Sequence, residues 1–421
     1  MKRFFSEART QQLGVFWGVV IIAGIFVSDH VRVLPSIGIA GLFATGAGYA
    51  LAHRRVAQRA HWPVLLSFVL VYALHVGTAL AHAGWGTEIL QRDAVLQLPF
   101  LVLPLAFLLL PSWRPAHKRA LWLVLIGGCL VAAARATTYY LLHRATIDES
   151  YLRSQVIPTV PDYIRFSLLV SMAVLAGLVL VLNRELRPRL RLATWVGVVV
   201  LFLFQHLLAV RSGVVTMYAA GALWLFWLGW QLRHWRVALA GAAAVLLLGG
   251  ACLVLFPTLR NKISVTRTDA KQLDTVGAAN YYSVTARVYS YDVAWALVKQ
   301  RPLFGLSKVG LEPAMARQYR AMYPGIEPAH YLLPHNQFLY NLAAYGAFGL
   351  LVFLVGFYYA LWVGIRQRNL MLLLMYAIVT LSFVAEYTLE TQIGVLIGLF
   401  FILLAAAPVA PPATPGAPAP R

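Results

Sequence analysis

The chain has 421 residues, 60% of them hydrophobic and 12% charged, with a mean hydropathy of +0.71. Soluble domains carry roughly twice that charged fraction, about 25%, so a water-soluble globular enzyme is excluded. Lysine and arginine number 35 against 15 acidic residues, a net charge of +20, and in a polytopic membrane protein the placement of such an excess sets orientation.

Apolar windows of bilayer-crossing length, about 20 residues, fall near 12–28, 35–52, 63–82, 95–111, 120–138, 164–183, 192–210, 214–232, 237–256, 335–362, 370–388 and 393–408. The prediction is an all-α polytopic membrane protein with about twelve transmembrane helices. The N-terminus carries Lys2, Arg3 and Arg9, and every second connection is basic as well: Arg54, Arg55 and Arg59; Arg114, Lys118 and Arg119; Arg184, Arg187, Arg189 and Arg191; Arg233 and Arg236; Arg366 and Arg368. This pattern predicts cytoplasmic N- and C-termini. The first span follows a basic start without a small-residue cleavage site and reads as an uncleaved anchor. Cys129 and Cys252 lie inside apolar runs, which leaves no disulfide framework or thiolate metal site.

The predicted organisation is nine spans over 1–256, an outward loop over 257–334, three spans over 335–408 and a Pro/Ala-rich disordered tail over 409–421. Within the loop, Val284, Val288, Tyr291, Trp295 and Val298 repeat at three to four residues, as do Leu311, Met315, Tyr319 and Met322. Two amphipathic helices follow from that spacing, bounded by Pro302 and Gly305, Gly310, and Pro324-Gly325. They would roof a cavity among the spans, or form a folded cap without chemistry. A second outward segment, about 139–163, carries Arg144, Asp148, Glu149, Arg153 and Asp162.

Of the acidic residues, only Glu7 and Glu185 fall on the cytoplasmic side, so chemistry is expected outside. No Asp-x-Asp pair, His-Glu-x-x-His or Gly-rich phosphate loop occurs, which gives a metal-bound sugar nucleotide or ATP site no support. Arg211, in the short Arg211-Ser212-Gly213 turn, and Arg287, on the first amphipathic helix, offer planar forks suited to phosphate oxygens. Either could instead snorkel to lipid headgroups. His75 and His206 sit inside spans and read as hydrogen-bonded within the bundle. His335 follows Pro334 at the start of the tenth span, where a helix N-terminus disfavours the imidazolium; it is a candidate base or a capping histidine.

His335-Asn336-Gln337-Phe338-Leu339 with Gly346 resembles the His-Asn/Ser-x-x-Leu-x6-Gly motif of the O-antigen ligase and polymerase superfamily. Ser283-x-x-x-Arg287, Trp295 and Arg301-Pro302-Leu303-Phe304-Gly305 resemble that family's outward loop, and Arg211-Ser212-Gly213 its arginine turn. One departure is that Gly305 is followed by Leu-Ser-Lys-Val before Gly310, where the family continues as Gly-x-Gly. The matched motifs span about 211–346.

The resemblance implies a GT-C-like glycosyltransferase of the Gram-negative inner membrane with a periplasmic active site. It would move a glycan from undecaprenyl diphosphate to an acceptor with inversion, without metal, cofactor, sugar nucleotide or ATP. In that picture His335 is the base and Arg211 and Arg287 clamp the diphosphate. Arg144, Arg153 and Arg165 are candidate acceptor or phosphate contacts, Asn336 supports the site, and Glu386 or Glu390 orients the histidine or an arginine. Expected partners are the lipid-linked glycan, a lipid A–core oligosaccharide and membrane lipids, with no nucleic acid. The favoured acceptor is the lipid A core, as in a ligase; a repeat-linked lipid (polymerase) or a protein side chain (O-oligosaccharyltransferase) stays open. A twelve-span transporter is the competing class, disfavoured because the spans are nearly free of ionisable residues and no half-to-half repeat is visible.

Overall fold

The computed structural model of the chain describes residues 2–83, 88–152 and 155–410. Its secondary structure is helical apart from one isolated bridge between Trp113 and Val409. Helices α1 (Glu7–Phe26) and α2 (Leu34–His53) pack as a close pair. Gly38 and Gly41 admit Ile21 and Trp17 against the α2 backbone, the small-residue contact by which membrane helices approach. The third apolar segment is broken. Residues 59–66, which end in α3 (Trp62–Leu66), meet α4 (Val69–Ala83) at 43°.

Helices α5 (Glu88–Gln97) and α6 (Pro99–Leu109) together supply a membrane-length stretch over Gln91–Leu109. Asp93, which the sequence reading leaves ahead of the fourth span, therefore lies inside it. Helix α7 (Pro115–Leu142) precedes the short α8 (Arg144–Leu152). The centre of the bundle is α9 (Tyr163–Leu182), 78% buried and packed on α7, α10 (Pro188–Leu208), α11 (Arg211–Leu232) and α17 (Leu370–Ala385). At the periphery is α12 (Trp235–Leu255), 11% buried.

Nine described helices are long and apolar enough to cross a membrane, and the bent pair makes a tenth. The last two apolar segments are shorter: α17 (Leu370–Ala385) and α18 (Gln392–Ala406) have 16 and 15 residues. At 1.5 Å per residue they rise only about 23 Å, less than a hydrocarbon core of roughly 30 Å. Such short helices draw their connecting turn inward, and the Glu386 and Glu390 side chains in it are 3% exposed.

The segment between α12 and the long α16 (Gln337–Arg366) holds three helices, not the two predicted: α13 (Pro257–Ala270), α14 (Ser283–Gln300) and α15 (Ser307–Met322). Helix α13 escapes a periodicity search because it is mostly polar, although Pro257 in its first turn is a proper start. The predicted face of α14 also needs correcting. Ala286, Tyr289, Val293 and Leu297 pack inward, whereas Val288 and Trp295 of the predicted stripe are exposed. Small side chains at Ala286, Ser290 and Ala294 let that face pack closely. On α15 Leu311, Met315 and Tyr319 of the predicted stripe are buried and Met322 is exposed; the helix begins at Ser307, so Gly310 lies within it.

A break in α16 locks this cap to the bundle. Gly346 has φ 67°, a left-handed conformation that interrupts the helix and frees two amides. Ala347 N–H donates to the Pro302 carbonyl (2.8 Å), Phe348 N–H to that of Leu303 (3.1 Å), and Leu306 N–H to that of Ala343 (3.1 Å). A Cβ on Gly346 would strike the Leu303 carbonyl, and one on Gly305, at φ 63°, would strike the Ala344 carbonyl. Arg301-Pro302-Leu303-Phe304-Gly305 and Gly346 are thus the two halves of one backbone joint.

Candidate functional site

The residues that converge come from the start of α11, from α13 and α14, from the chain ahead of α16 and from the turn after α17. Ser283 and Arg287 are four apart on α14 and share one helical face. Arg211 is the first residue of α11, not part of a turn: the reversal is two residues earlier, at Ala209 in the left-handed region (φ 49°). From there Arg211 Nη2 donates to Ser283 Oγ (3.0 Å). Gly213 lets the start of α11 pack closely on α9 and α10, because a side chain there would strike Ser167 and Gln205.

Glu386 connects the arginine side to the histidine. Its Oε1 accepts from Arg287 Nη2 at 2.6 Å and its Oε2 lies 2.9 Å from His335 Nδ1. Burial works to raise the Glu386 carboxyl pKa, but the hydrogen bond from His335 and the charge of Arg287 outweigh it and hold it below the usual range. A carboxylate only accepts, so Nδ1 carries the hydrogen and neutral His335 keeps its lone pair on Nε2.

Backbone contacts fix the ring. The Tyr291 hydroxyl donates to the His335 carbonyl (2.8 Å), and the Tyr387 ring lies 4.8 Å away between centroids. Asn336, not His335, caps α16: its Oδ1 accepts from Leu339 N–H (3.0 Å) and its Nδ2 donates to the Val384 carbonyl (3.2 Å). The ring's direct partner is therefore a carboxylate, in place of the bare helix end the sequence argument relied on.

A cavity of about 420 Å³ lies against this constellation, with Arg211, Ser283, Arg287, Glu386 and Lys262 in its wall. Size alone does not single it out, since a cavity of about 460 Å³ beside α2, α5 and α18 has Arg92 as its one charged liner. Charge does, because three cations face a single carboxylate. Val215 of α11 and Val384 of α17, also in the wall, are exposed on the flank of the bundle.

Of the other sequence candidates, Arg165 donates to Asp162 Oδ1 (3.2 Å) and its charge acts on Glu386, but it does not line the cavity. Arg144 is largely exposed and pairs with Asp148 at 3.8 Å, outside the lining. Arg153 lies outside the described residues. Sequence reasoning missed Lys262, the sole described lysine in this wall.

It also missed Lys308. This residue reaches from α15 to Asp93 Oδ1 and Glu390 Oε2, both at 2.5 Å. Burial works against its charge and the two carboxylates more than restore it, so its pKa is raised. His75 Nδ1 lies 3.2 Å from Asp93 Oδ2 and 2.9 Å from the Tyr345 hydroxyl. His75, Asp93 and Glu390 have metal-ligand spacing, their donor atoms all lying within 4.8 Å of one another, but the Lys308 ammonium already supplies the counter-charge. Gln337 ties this cluster to the site. Its Nε2 donates to Glu390 Oε1 (3.2 Å) and its Oε1 accepts from Leu389 N–H (2.9 Å).

The fold and the site together define a polytopic membrane protein with a cationic cavity whose one carboxylate, Glu386, also holds His335. Residues 196–354 match the family model described as O-antigen ligase, a stretch holding Arg211, Arg287, His335 and the Gly305–Gly346 joint. Over this segment the chain is similar to that family, a likeness that points to a glycosyltransferase-like ligase or polymerase activity on lipid-linked glycan in a membrane. No curated protein matches the chain.

Proposed function

We propose that the protein transfers a glycan from undecaprenyl diphosphate to a sugar hydroxyl of the lipid A core on the periplasmic face of the inner membrane. The observation that carries this is the shared carboxylate: Glu386 holds His335 and Arg287 at once, so the base and the anion-binding arginine form one unit beside a cationic cavity. Direct displacement fits that arrangement. The acceptor hydroxyl gives its proton to His335 Nε2 as its oxygen bonds to the anomeric carbon. The anomeric carbon–oxygen bond breaks, its electron pair leaves with the diphosphate, and the centre inverts. A diphosphate leaving group needs charge stabilisation and not a proton, which Arg211 and Arg287 supply. Glu386 stabilises the imidazolium that forms, and its hydrogen bond fixes the tautomer with Nε2 free.

The wall residues Val215 and Val384 give a lipid-borne donor a lateral route from the bilayer. In this reading residues 257–334 are the periplasmic cap, both termini are cytoplasmic, and neither metal nor nucleotide takes part. The test is transfer by purified protein in chelator, with lipid A–core, lipid-linked repeat and a serine-containing protein as competing acceptors. Glycan on the core supports a ligase. Lengthening of the lipid-linked donor, or modification of the protein alone, makes it a polymerase or a protein glycosyltransferase with the same site.

A further inference from the structure

Lys262 is the one cation in the cavity wall without a stated task. Its side chain comes from α13 into the wall that Arg211 and Arg287 share, and the residue is 8% exposed. No described side chain makes a hydrogen bond or ion pair with its ammonium. Asp269, two turns further along α13, is spent elsewhere: its carboxylate accepts from Val284 N–H (2.8 Å), Thr285 N–H (3.0 Å) and Thr285 Oγ1 (2.9 Å), which fixes α13 against the start of α14. Glu386 is held by Arg287 and His335. A buried ammonium without a counter-ion is costly to keep, and one facing a cavity beside two guanidinium groups is an arrangement for an anion.

We infer that Lys262 is a third anion-binding residue of this site, holding the second phosphate of a lipid diphosphate while Arg211 and Arg287 hold the first. The inference rests on the reading of the cavity as the donor site and assigns to it a residue outside the family motifs. It also makes donor binding pH-dependent. The groups around α13 are Arg211 and Tyr163 at the cavity, Arg287 and Ser283 on α14, Glu386, Asp269 on α13, Asp148 and Arg144 on the adjacent α8, and His206 and Cys252 on α10 and α12. Burial, reinforced by the charges of Arg211 and Arg287, pushes the Lys262 ammonium down to about 8. At pH 7 it is charged; above pH 8 the empty site loses one of its three cations.

The experiment measures binding of farnesyl diphosphate and farnesyl monophosphate to the purified full-length protein in detergent at pH 7 and pH 9.5. The variants are Lys262→Met, Lys262→Arg and Arg211→Ala/Arg287→Ala, with thermal unfolding of each without ligand. At pH 7, Lys262→Met should bind the diphosphate roughly 10- to 100-fold more weakly, the scale of a lost charge-assisted contact, with a smaller change for the monophosphate. Wild type should fall towards that variant at pH 9.5, and Lys262→Arg should bind equally at both pH values. Without ligand, Lys262→Met should unfold no earlier than wild type, because it removes an uncompensated charge.

Unchanged binding by Lys262→Met with loss in the arginine variant overturns the role of Lys262 and leaves the donor site standing. Unchanged binding by every variant overturns the donor site itself. Weaker binding that Lys262→Arg does not restore, with earlier unfolding, makes Lys262 a structural residue and overturns the inference.

Discussion

Replacing Glu386 with glutamine removes one charge and keeps the side chain's size. The carboxylate accepts two charge-assisted hydrogen bonds, from Arg287 at 2.6 Å and His335 at 2.9 Å, and is 3% exposed. A glutamine can still accept from Arg287 through its oxygen, but its amide nitrogen then faces Nδ1 and donates to it. That reverses the tautomer, puts the ring hydrogen on Nε2 and leaves that nitrogen without a lone pair to act as base. An equivalent tautomer error in a serine-protease triad costs about 10⁴ in kcat, so the expected fall here is roughly 10³- to 10⁴-fold. The donor KM should change much less, because Arg211 and Arg287 remain.

The assay is single-turnover transfer of a labelled glycan from its lipid diphosphate, with donor binding measured separately. Stability should drop by about 1.5–3 kcal/mol for each weakened contact. The pH dependence follows from the lowered Glu386 pKa. A carboxyl depressed in the folded state contributes stability above its unfolded pKa, near 4.3, and loses it as pH falls through the lower folded value. Glu386→Gln should lack that acid-side loss. Wild-type kcat in this variant would refute the coupling of histidine and arginine through one carboxylate.

Other variants probe the remaining parts. Arg287→Lys keeps the charge but not the fork that serves Glu386 and the cavity together, so transfer should fall about 100-fold or more; near-normal turnover would count against a bidentate clamp. Gly346→Ala adds a Cβ against the Leu303 carbonyl at a positive φ and should cost more than about 3 kcal/mol. Gly221→Ala, where a Cβ meets nothing within 4 Å, should be tolerated; thermal unfolding of the two variants checks the pair. Lys308→Met strands two carboxylates and should destabilise by about 3–5 kcal/mol, with Asp93→Asn/Glu390→Gln in the same chain restoring most of it; no loss in the single variant would remove Lys308 as the fastening between α15 and the bundle.

The membrane-crossing helices were legible because a span needs only length and apolar composition, and α2, α9, α10 and α12 begin and end within a few residues of their windows. Helix boundaries set by polar chemistry were less so. The reversal at Ala209 depends on a left-handed residue with no glycine to announce it, and Asp93 hides its place in a span because its partner Lys308 lies 215 residues away. At the site, spacing brought out Arg211, Arg287 and His335 as candidates, whereas the bridging position of Glu386 follows from two short helices that pull their turn inward. Lys262 had no signal, being one of several basic residues in a polar helix without apolar periodicity. Gly305 and Gly346 were visible as motif residues, but that each makes room for the other's strand of backbone is a tertiary fact.

The most direct test of the account is transfer by the purified protein, in chelator, of a glycan from undecaprenyl diphosphate to lipid A–core, comparing wild type with His335→Ala. The account predicts glycosylated core with wild type and no product with the variant, while the variant still binds the lipid diphosphate. Product formation at an undiminished rate by His335→Ala would contradict it.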